Sequence, residues 1–287
     1  MKQSDRGFTL VELIIVIVLT SIIATMVTQV ITRPFAAYQD SSRRASLVNA
    51  ANIAINIIAR EIRSAVPNSI RVNAGENVIE FMPAVVAGRY REGIAGDPNG
   101  LTVSKNDDSF NNLGDLPDCN PCSNYRLVIY NTNPVHLYNG SNNSITPAST
   151  TVTIADCTVG TCGHSEVADL ITLSAPHRFN PGSGGSPRKR FYATDGPVSF
   201  HCDPTTNFDI RRYFNYTPQA AQPTNRSAAP LSTASDDLLT DRIVGCTFTF
   251  APGTSTYRSA TVTIRLTISE QNEAVELFKE VHIWNAP

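Results

Sequence analysis

The chain has 287 residues, 41% hydrophobic and 17% charged, with a formal net charge of -2. That charge fraction lies below the ~25% usual for soluble globular chains, so much of the surface must be uncharged polar. The small negative charge excludes a general nucleic-acid binder working through phosphate electrostatics. Recurring apolar residues exclude a disordered chain, and six cysteines are too sparse for a disulfide-knotted miniprotein.

The first element is a membrane segment. Met1 to Gly7 is polar and carries Lys2, Asp5 and Arg6, whereas Phe8 to Ile31 is apolar with Glu12 as its only formal charge. About 20 helical residues cross the ~30 Å hydrocarbon core, so this stretch is long enough to span it. Lys2 and Arg6 before it, with Arg33 after it, place the N-terminus in the cytoplasm and the rest of the chain across the membrane. A secretory signal fits less well, because the apolar run is too long and Ser21–Thr25 makes a poor small-residue cleavage site. A plain signal-anchor fits the hydropathy but leaves Glu12 unexplained. A carboxyl group in hydrocarbon needs a partner; a monomeric anchor offers none, and a cationic group on a neighbouring chain would.

Gly7-Phe8-Thr9-Leu10-Val11-Glu12 before such a run resembles the class III signal of type IV pilins and pseudopilins. The resemblance implies cleavage between Gly7 and Phe8 by a prepilin peptidase that also N-methylates Phe8. It implies assembly roles for Thr9, Leu10 and Glu12, the last pairing with the N-terminal ammonium of an adjacent subunit.

Past Ile31 the helical pattern continues. Pro34 predicts a kink or a locally melted turn. Val48, Ala51, Ile55, Ile58, Ile62 and Val66 then form one apolar face, with Arg43, Arg44, Arg60, Glu61 and Arg63 largely off it. Pro67 predicts the stop. The expected organisation is a leader over 1–7, a membrane or filament-core half-helix over 8–31, an amphipathic half-helix over 32–66, and a periplasmic β-rich domain over 67–287. The stripe would pack on the protein's own sheet, leaving Ile53 and Ile57 for subunit contact.

Strands are predicted at Asn77–Met82, Tyr125–Tyr130, Thr151–Ala155 and Leu170–Leu173. At the C-terminal end, Val244, Cys246, Phe248 and Phe250 alternate with polar or small residues, as do Val262, Ile264, Leu266 and Ile268. Val275–Trp284 completes an antiparallel meander with one covered face. Gly88–Gly114, Asn180–Arg190 and Thr217–Ser235 read as loops, and Arg188-Lys189-Arg190 as a solvated basic end. The fold class expected is α+β: a long kinked N-terminal helix on an antiparallel β-sheet domain, as in type IV pilins.

Cys119 and Cys122 form a C-x-x-C in a Pro/Asp/Asn loop, not between a strand and a helix as a thioredoxin-like site requires. Outside the cytoplasm disulfides persist. Six cysteines allow 15 pairings; the preferred one joins Cys119 with Cys122, Cys157 with Cys162, and Cys202 with Cys246. The five histidines show no metal or base–nucleophile spacing, and G-x-S-x-G and P-loop motifs are lacking. Asp107-Asp108 and Asp97–Gly100 read as turns, since neither matches a calcium loop. No enzyme, metal or cofactor is expected.

A narrower resemblance covers most of the chain. Arg33-Pro34-Phe35 with Tyr38, Ser42–Ala45, Ala59–Arg63 before Pro67-Asn68-Ser69, Gly88–Arg91, Asp107–Phe110, Pro197–Phe200 and the ending Val281–Pro287 are similar to minor pilins of the mannose-sensitive haemagglutinin (MSHA) type IV pilus system. This implies a low-abundance subunit that primes or caps a filament. The partners implied are other minor pilins, the major pilin, the inner-membrane assembly platform and the membrane itself, with no nucleic acid. The alternatives are a J-type minor pseudopilin of type II secretion, a PilW-type minor pilin, and a tip adhesin using the loops Gly88–Gly114 and Asn180–Arg190.

Overall fold

The computed structural model describes residues 7–93, 99–122, 124–156, 169–179, 184–253, 259–271 and 273–284, and for 29, 32, 33, 36, 120 and 121 the backbone alone. The chain divides into two compact units, Met1–Asn49 and Ala50–Pro287. The fold is α+β, with a long apolar N-terminal helix and strands that pair antiparallel throughout.

Helix α1 runs Leu10–Arg63 and contributes to both units. Within the first unit, Leu10–Thr28 has mean hydropathy 2.7 and buries none of its residues. Length and composition suffice to cross a bilayer. Its hydroxyls are satisfied within the helix: Thr20 Oγ1 donates to Val16 O at 2.7 Å, Ser21 Oγ to Val18 O at 2.9 Å, and Thr25 Oγ1 to Ile22 O at 2.8 Å. Such back-bonding removes the cost of carrying a hydroxyl into hydrocarbon. Pro34 lies inside the helix, and the melted turn expected there is not found; the helical backbone continues through it.

In the second unit the end of α1 buries Ala51, Ile55, Ile58 and Ile62 of the predicted face, together with Ala54 and Ala59, which the predicted stripe did not include. Ile53 stays 49% exposed, on the other side, whereas Ile57, expected to be free like it, is half-buried. The helix stops at Arg63, short of the expected Val66. Its last carbonyls are tightened by i→i+3 bonds from Ser64 N to Glu61 O (3.0 Å) and Ala65 N to Ile62 O (3.1 Å). Val66 is already in sheet contact, donating its N–H to Met82 O at 2.8 Å.

The antiparallel meander expected at the C-terminal end is found, and the described residues form three further sheets. The five-stranded one is ordered β1 (Arg71–Val72), β2 (Val78–Phe81), β10 (Val198–Asp203), β11 (Asp209–Phe214), β12 (Ser235–Asp241). A three-stranded sheet holds β3 (Val86–Arg89), β9 (Arg190–Thr194) and β6 (Arg126–Ile129). The four-stranded one is β4 (Asp107–Asn111), β8 (Asp169–His177), β7 (Val152–Asp156), β5 (Cys119–Cys122). The C-terminal sheet is β13 (Ile243–Ala251), β14 (Ser259–Glu270), β15 (Glu273–Trp284). One short helix, α2 (Pro134–Asn139), is capped by Asn133 and ended by left-handed Gly140.

On β14, Val262, Ile264, Leu266 and Ile268 are fully buried, as their alternation predicts. Val244 departs from its expected place. The ladder shifts between Ile243 and Gly245, so Ile243 is buried and Val244 is 47% exposed; a bulge flips the side-chain faces that follow it. Gly88–Gly114 is not all loop, since it contains the end of β3 and the whole of β4. The residues of Asn180–Arg190 before 184 lie outside the described residues.

Candidate assembly site

The first turn of α1 is built by Thr9 and Glu12. Glu12 N donates to Thr9 Oγ1 at 3.3 Å, while Glu12 Oε2 accepts from Thr9 N at 3.3 Å and from Thr9 Oγ1 at 3.2 Å. This is the reciprocal arrangement of a capping box, in which a threonine and a glutamate three residues on satisfy helix-end donors that have no intrahelical partner. It corrects the expectation that a monomer offers Glu12 no partner. The T-x-x-E spacing that signals it stands in the sequence, and reading Glu12 only as a membrane charge passes over it. A carboxylate in the first turn is also favoured by the positive end of the helix dipole.

Around this cap the surface is apolar. Phe8 is 76% exposed and Leu10 73% exposed. Gly7 has no atom within 4 Å of where a Cβ would stand, so packing does not dictate a glycine there. The geometry therefore brings together an accessible Gly7–Phe8 bond, a carboxylate held by its own chain, and an apolar helix with no cover within its unit. Residues Met1–Arg6 lie outside the described residues.

Among the described residues, the β-rich unit holds two disulfides. Cys119 and Cys122 are joined with Cα atoms 4.8 Å apart, on the short strand β5 and not in the loop expected. Cys202 and Cys246 are joined at a Cα separation of 6.6 Å and tie β10 to β13 across 44 positions of sequence. Cys157 and Cys162 lie outside the described residues, as does Asp97. Asp107 holds a turn, accepting from Thr102 N at 2.9 Å. Among the described residues, no group of three or more His, Cys, Asp or Glu side chains is placed to hold a metal ion. Of the basic triplet, Arg188 lies 5.9 Å over the Trp284 ring, Lys189 pairs with Glu92, and Arg190 opens β9.

A buried ionic cluster that the sequence does not reveal organises the Thr217–Ser235 loop. Glu80, fully buried on β2, receives Arg71 Nε at 2.6 Å and the Tyr216 hydroxyl at 2.9 Å. Tyr216 in turn meets Ser199 Oγ at 2.6 Å. The remaining Arg71 nitrogens donate to Gln219 O and Ala220 O, both at 2.8 Å, and its guanidinium stacks 3.6 Å over Tyr138. Burial pushes the Glu80 carboxyl up, opposed by the hydrogen bond and charge of Arg71. Further along the loop, the ring of His201 donates Nε2–H to Thr224 O at 3.0 Å, and Arg226 pairs with Asp209 at 2.9 Å. Arg71 and Arg226 thereby tie the loop to the sheet.

Residues 2–28 match the family model of the prokaryotic N-terminal methylation motif. The motif places the N-terminal segment in the type IV pilin-like class, whose precursors are processed by prepilin peptidase for assembly into pili. The β-rich unit lies beyond the matched residues. No curated protein and no solved structure matches the chain.

Proposed function

We propose that this chain is a minor pilin of an MSHA-like type IV pilus, of the MshO kind, a non-catalytic subunit that initiates or primes filament assembly. The observation that carries the reading is the Gly7–Glu12 signal at the head of a helix whose Leu10–Thr28 segment is apolar and entirely exposed within its unit. Cleavage after Gly7 would retain that helix and expose an ammonium on Phe8, which is then methylated. The new N-terminus stays on the cytoplasmic face of the inner membrane and the β-rich unit lies in the periplasm, where the Cys119–Cys122 and Cys202–Cys246 disulfides persist.

Capping by Thr9 refines the role of Glu12. Its carboxylate enters hydrocarbon with its own-chain donors already in place, which lowers the cost of the monomeric state before assembly. Donors from the Phe8 ammonium of an adjacent subunit would add charge pairing to a carboxylate already oriented toward the N-terminus. The size of the β-rich unit and the resemblance of its segments to MSHA minor pilins favour a low-abundance position over that of the filament's bulk subunit.

Glu12→Ala tests this role. Insertion and cleavage should continue, while the variant is lost from sheared filaments. Recovery of Glu12→Ala in sheared filaments at the level of the unsubstituted chain would contradict it.

A further inference from the structure

Six arginines of the β-rich unit are neutralised within it: Arg71, Arg211, Arg212, Arg226, Arg242 and Arg265 each hold a carboxylate oxygen at 2.6–3.0 Å. Arg89, Arg188 and Arg190 are placed differently. Among the described residues none of the three has a carboxylate within ion-pair distance, and the neighbouring Glu92 is taken by Lys189. Arg89 and Arg190 stand directly opposite each other on β3 and β9, so their side chains leave the same face. Like charges in that relation are destabilising. Arg89 Nε donates to Arg188 O at 3.3 Å, which brings the third arginine up to the first. A chain of net charge -2 thus gathers three cations without a counter-charge.

The turn that carries Arg188 is held in place. Lys189 N donates to Ser186 O at 2.9 Å, closing a turn with Pro187 and Arg188 at its two central positions; the proline pre-sets the backbone there. Lys189 has a left-handed φ of 54°, a conformation that a non-glycine residue keeps only where its surroundings over-determine it. Those surroundings are Tyr90 and Ser186, both buried. Ser186 N donates to Tyr90 Oη at 3.1 Å, Tyr90 N to Lys189 O at 2.8 Å, and Arg190 N to Ser186 Oγ at 3.1 Å. A strained turn and an opposed pair of like charges meet at one place, and such costs cluster where a site is pre-organised.

We propose that Arg89, Arg188 and Arg190 form a binding site for a phosphate group, free or carried as an ester. A phosphate monoester brings three acceptor oxygens and nearly two negative charges at neutral pH, against three guanidinium groups. A carboxylate would supply two oxygens and one charge, leaving the Arg89–Arg190 repulsion largely in place. The planar guanidinium fork suits phosphate oxygens and is less strongly hydrated than an ammonium, which fits a cluster of arginines better than one of lysines. With Nε spent on the Arg188 carbonyl, the terminal nitrogens of Arg89 remain for the ligand. Beside them the Arg188 guanidinium lies 5.9 Å over the Trp284 ring, which is 55% exposed and offers an apolar wall to whatever carries the phosphate. The inference does not depend on the pilus reading.

Trp284 is the chain's one tryptophan, so its fluorescence reports on this site alone. Inorganic phosphate titrated into the full-length protein in nonionic detergent micelles, at constant ionic strength, should change that fluorescence saturably, and chloride should not. Calorimetry of the same titration reads binding without the fluorophore. Arg89→Gln and Arg190→Gln should each weaken binding about ten-fold, the loss of one charge-assisted contact, and the double variant should abolish saturation. Arg265→Gln, which removes a cation paired elsewhere, should leave it unchanged. Two further probes distinguish the source of the phosphate: tighter binding of glucose 6-phosphate assigns a sugar ester, and tighter binding of phosphatidic acid in the micelle assigns a lipid headgroup. A response to phosphate that is linear and matched by chloride, with no heat of binding, would overturn the proposal. So would saturable binding that survives in the double variant.

Discussion

Thr9 and Glu12 cap the membrane helix reciprocally: the glutamate N–H bonds the threonine hydroxyl, and the carboxylate accepts from both the N–H and the hydroxyl of Thr9. The one acidic residue of the apolar segment is thus part of the helix's own start. Pairing with a neighbour's N-terminus, as proposed, would build on that geometry.

Thr9→Ala should loosen the first turn without unfolding the helix. Loss of an N-cap costs about 1 kcal/mol, roughly a five-fold rise in local opening. Amide exchange in detergent micelles should therefore quicken about five-fold at residues near Glu12 and remain unchanged beyond Thr20.

Arg71→Ala should be among the most damaging single changes in the β-rich unit. It leaves the fully buried Glu80 carboxylate without its cation, and such half-pairs cost about 3–5 kcal/mol. It also releases the carbonyls of Gln219 and Ala220. Denaturant titration should show the loss, and Arg71→Ala combined with Glu80→Gln should recover part of it.

Removing the long disulfide by Cys202→Ser with Cys246→Ser should cost about 4 kcal/mol for a loop of 44 positions. Removing Cys119–Cys122, which closes three positions, should cost much less. The midpoint of urea unfolding distinguishes the two.

His201 predicts a pH dependence. Burial lowers its pKa, the Thr224 carbonyl opposes that, and Arg226, Asp203 and Asp209 are the charges that act on it. Because the folded state resists the proton, the unfolded chain binds it first as pH falls through ~6.5. The His201 contribution is therefore present above that pH and lost below it. His201→Gln should remove this part of the acid destabilisation, so the stability difference between the two proteins should narrow from pH 7 to pH 5. His177, also lowered by burial, is common to both proteins and cancels in the comparison.

Legibility in the sequence followed how much each segment was constrained on one face only. The α1 stripe and β14 are buried on one side and solvated on the other, so Ile55, Ile58 and Ile62, and Val262 to Ile268, announce their period. Strand β10 is buried along Val198–Cys202 on both faces and shows no alternation, so periodicity does not mark it. Strand β5 is hidden by Asn120 and Pro121 between its cysteines. Alternation sets Val244 on the wrong face because a bulge is a tertiary event without a composition signal. At the candidate site, Gly7, Phe8 and Glu12 are legible as a motif, and Thr9 as a cap is legible from the T-x-x-E spacing once Glu12 is read as part of a helix start. The pairing of Arg71 with Glu80 depends on strands β1 and β2 meeting in register, which no local pattern foretells.

The central claim is that the chain is processed as a prepilin, and intact-mass and N-terminal peptide analysis of the protein from its native membrane tests it most directly. The account predicts a mature chain beginning at N-methylated Phe8, with residues 1–7 removed. An intact Met1, or a new terminus beyond Thr20, would contradict it and mark the apolar helix as an ordinary anchor or secretion signal.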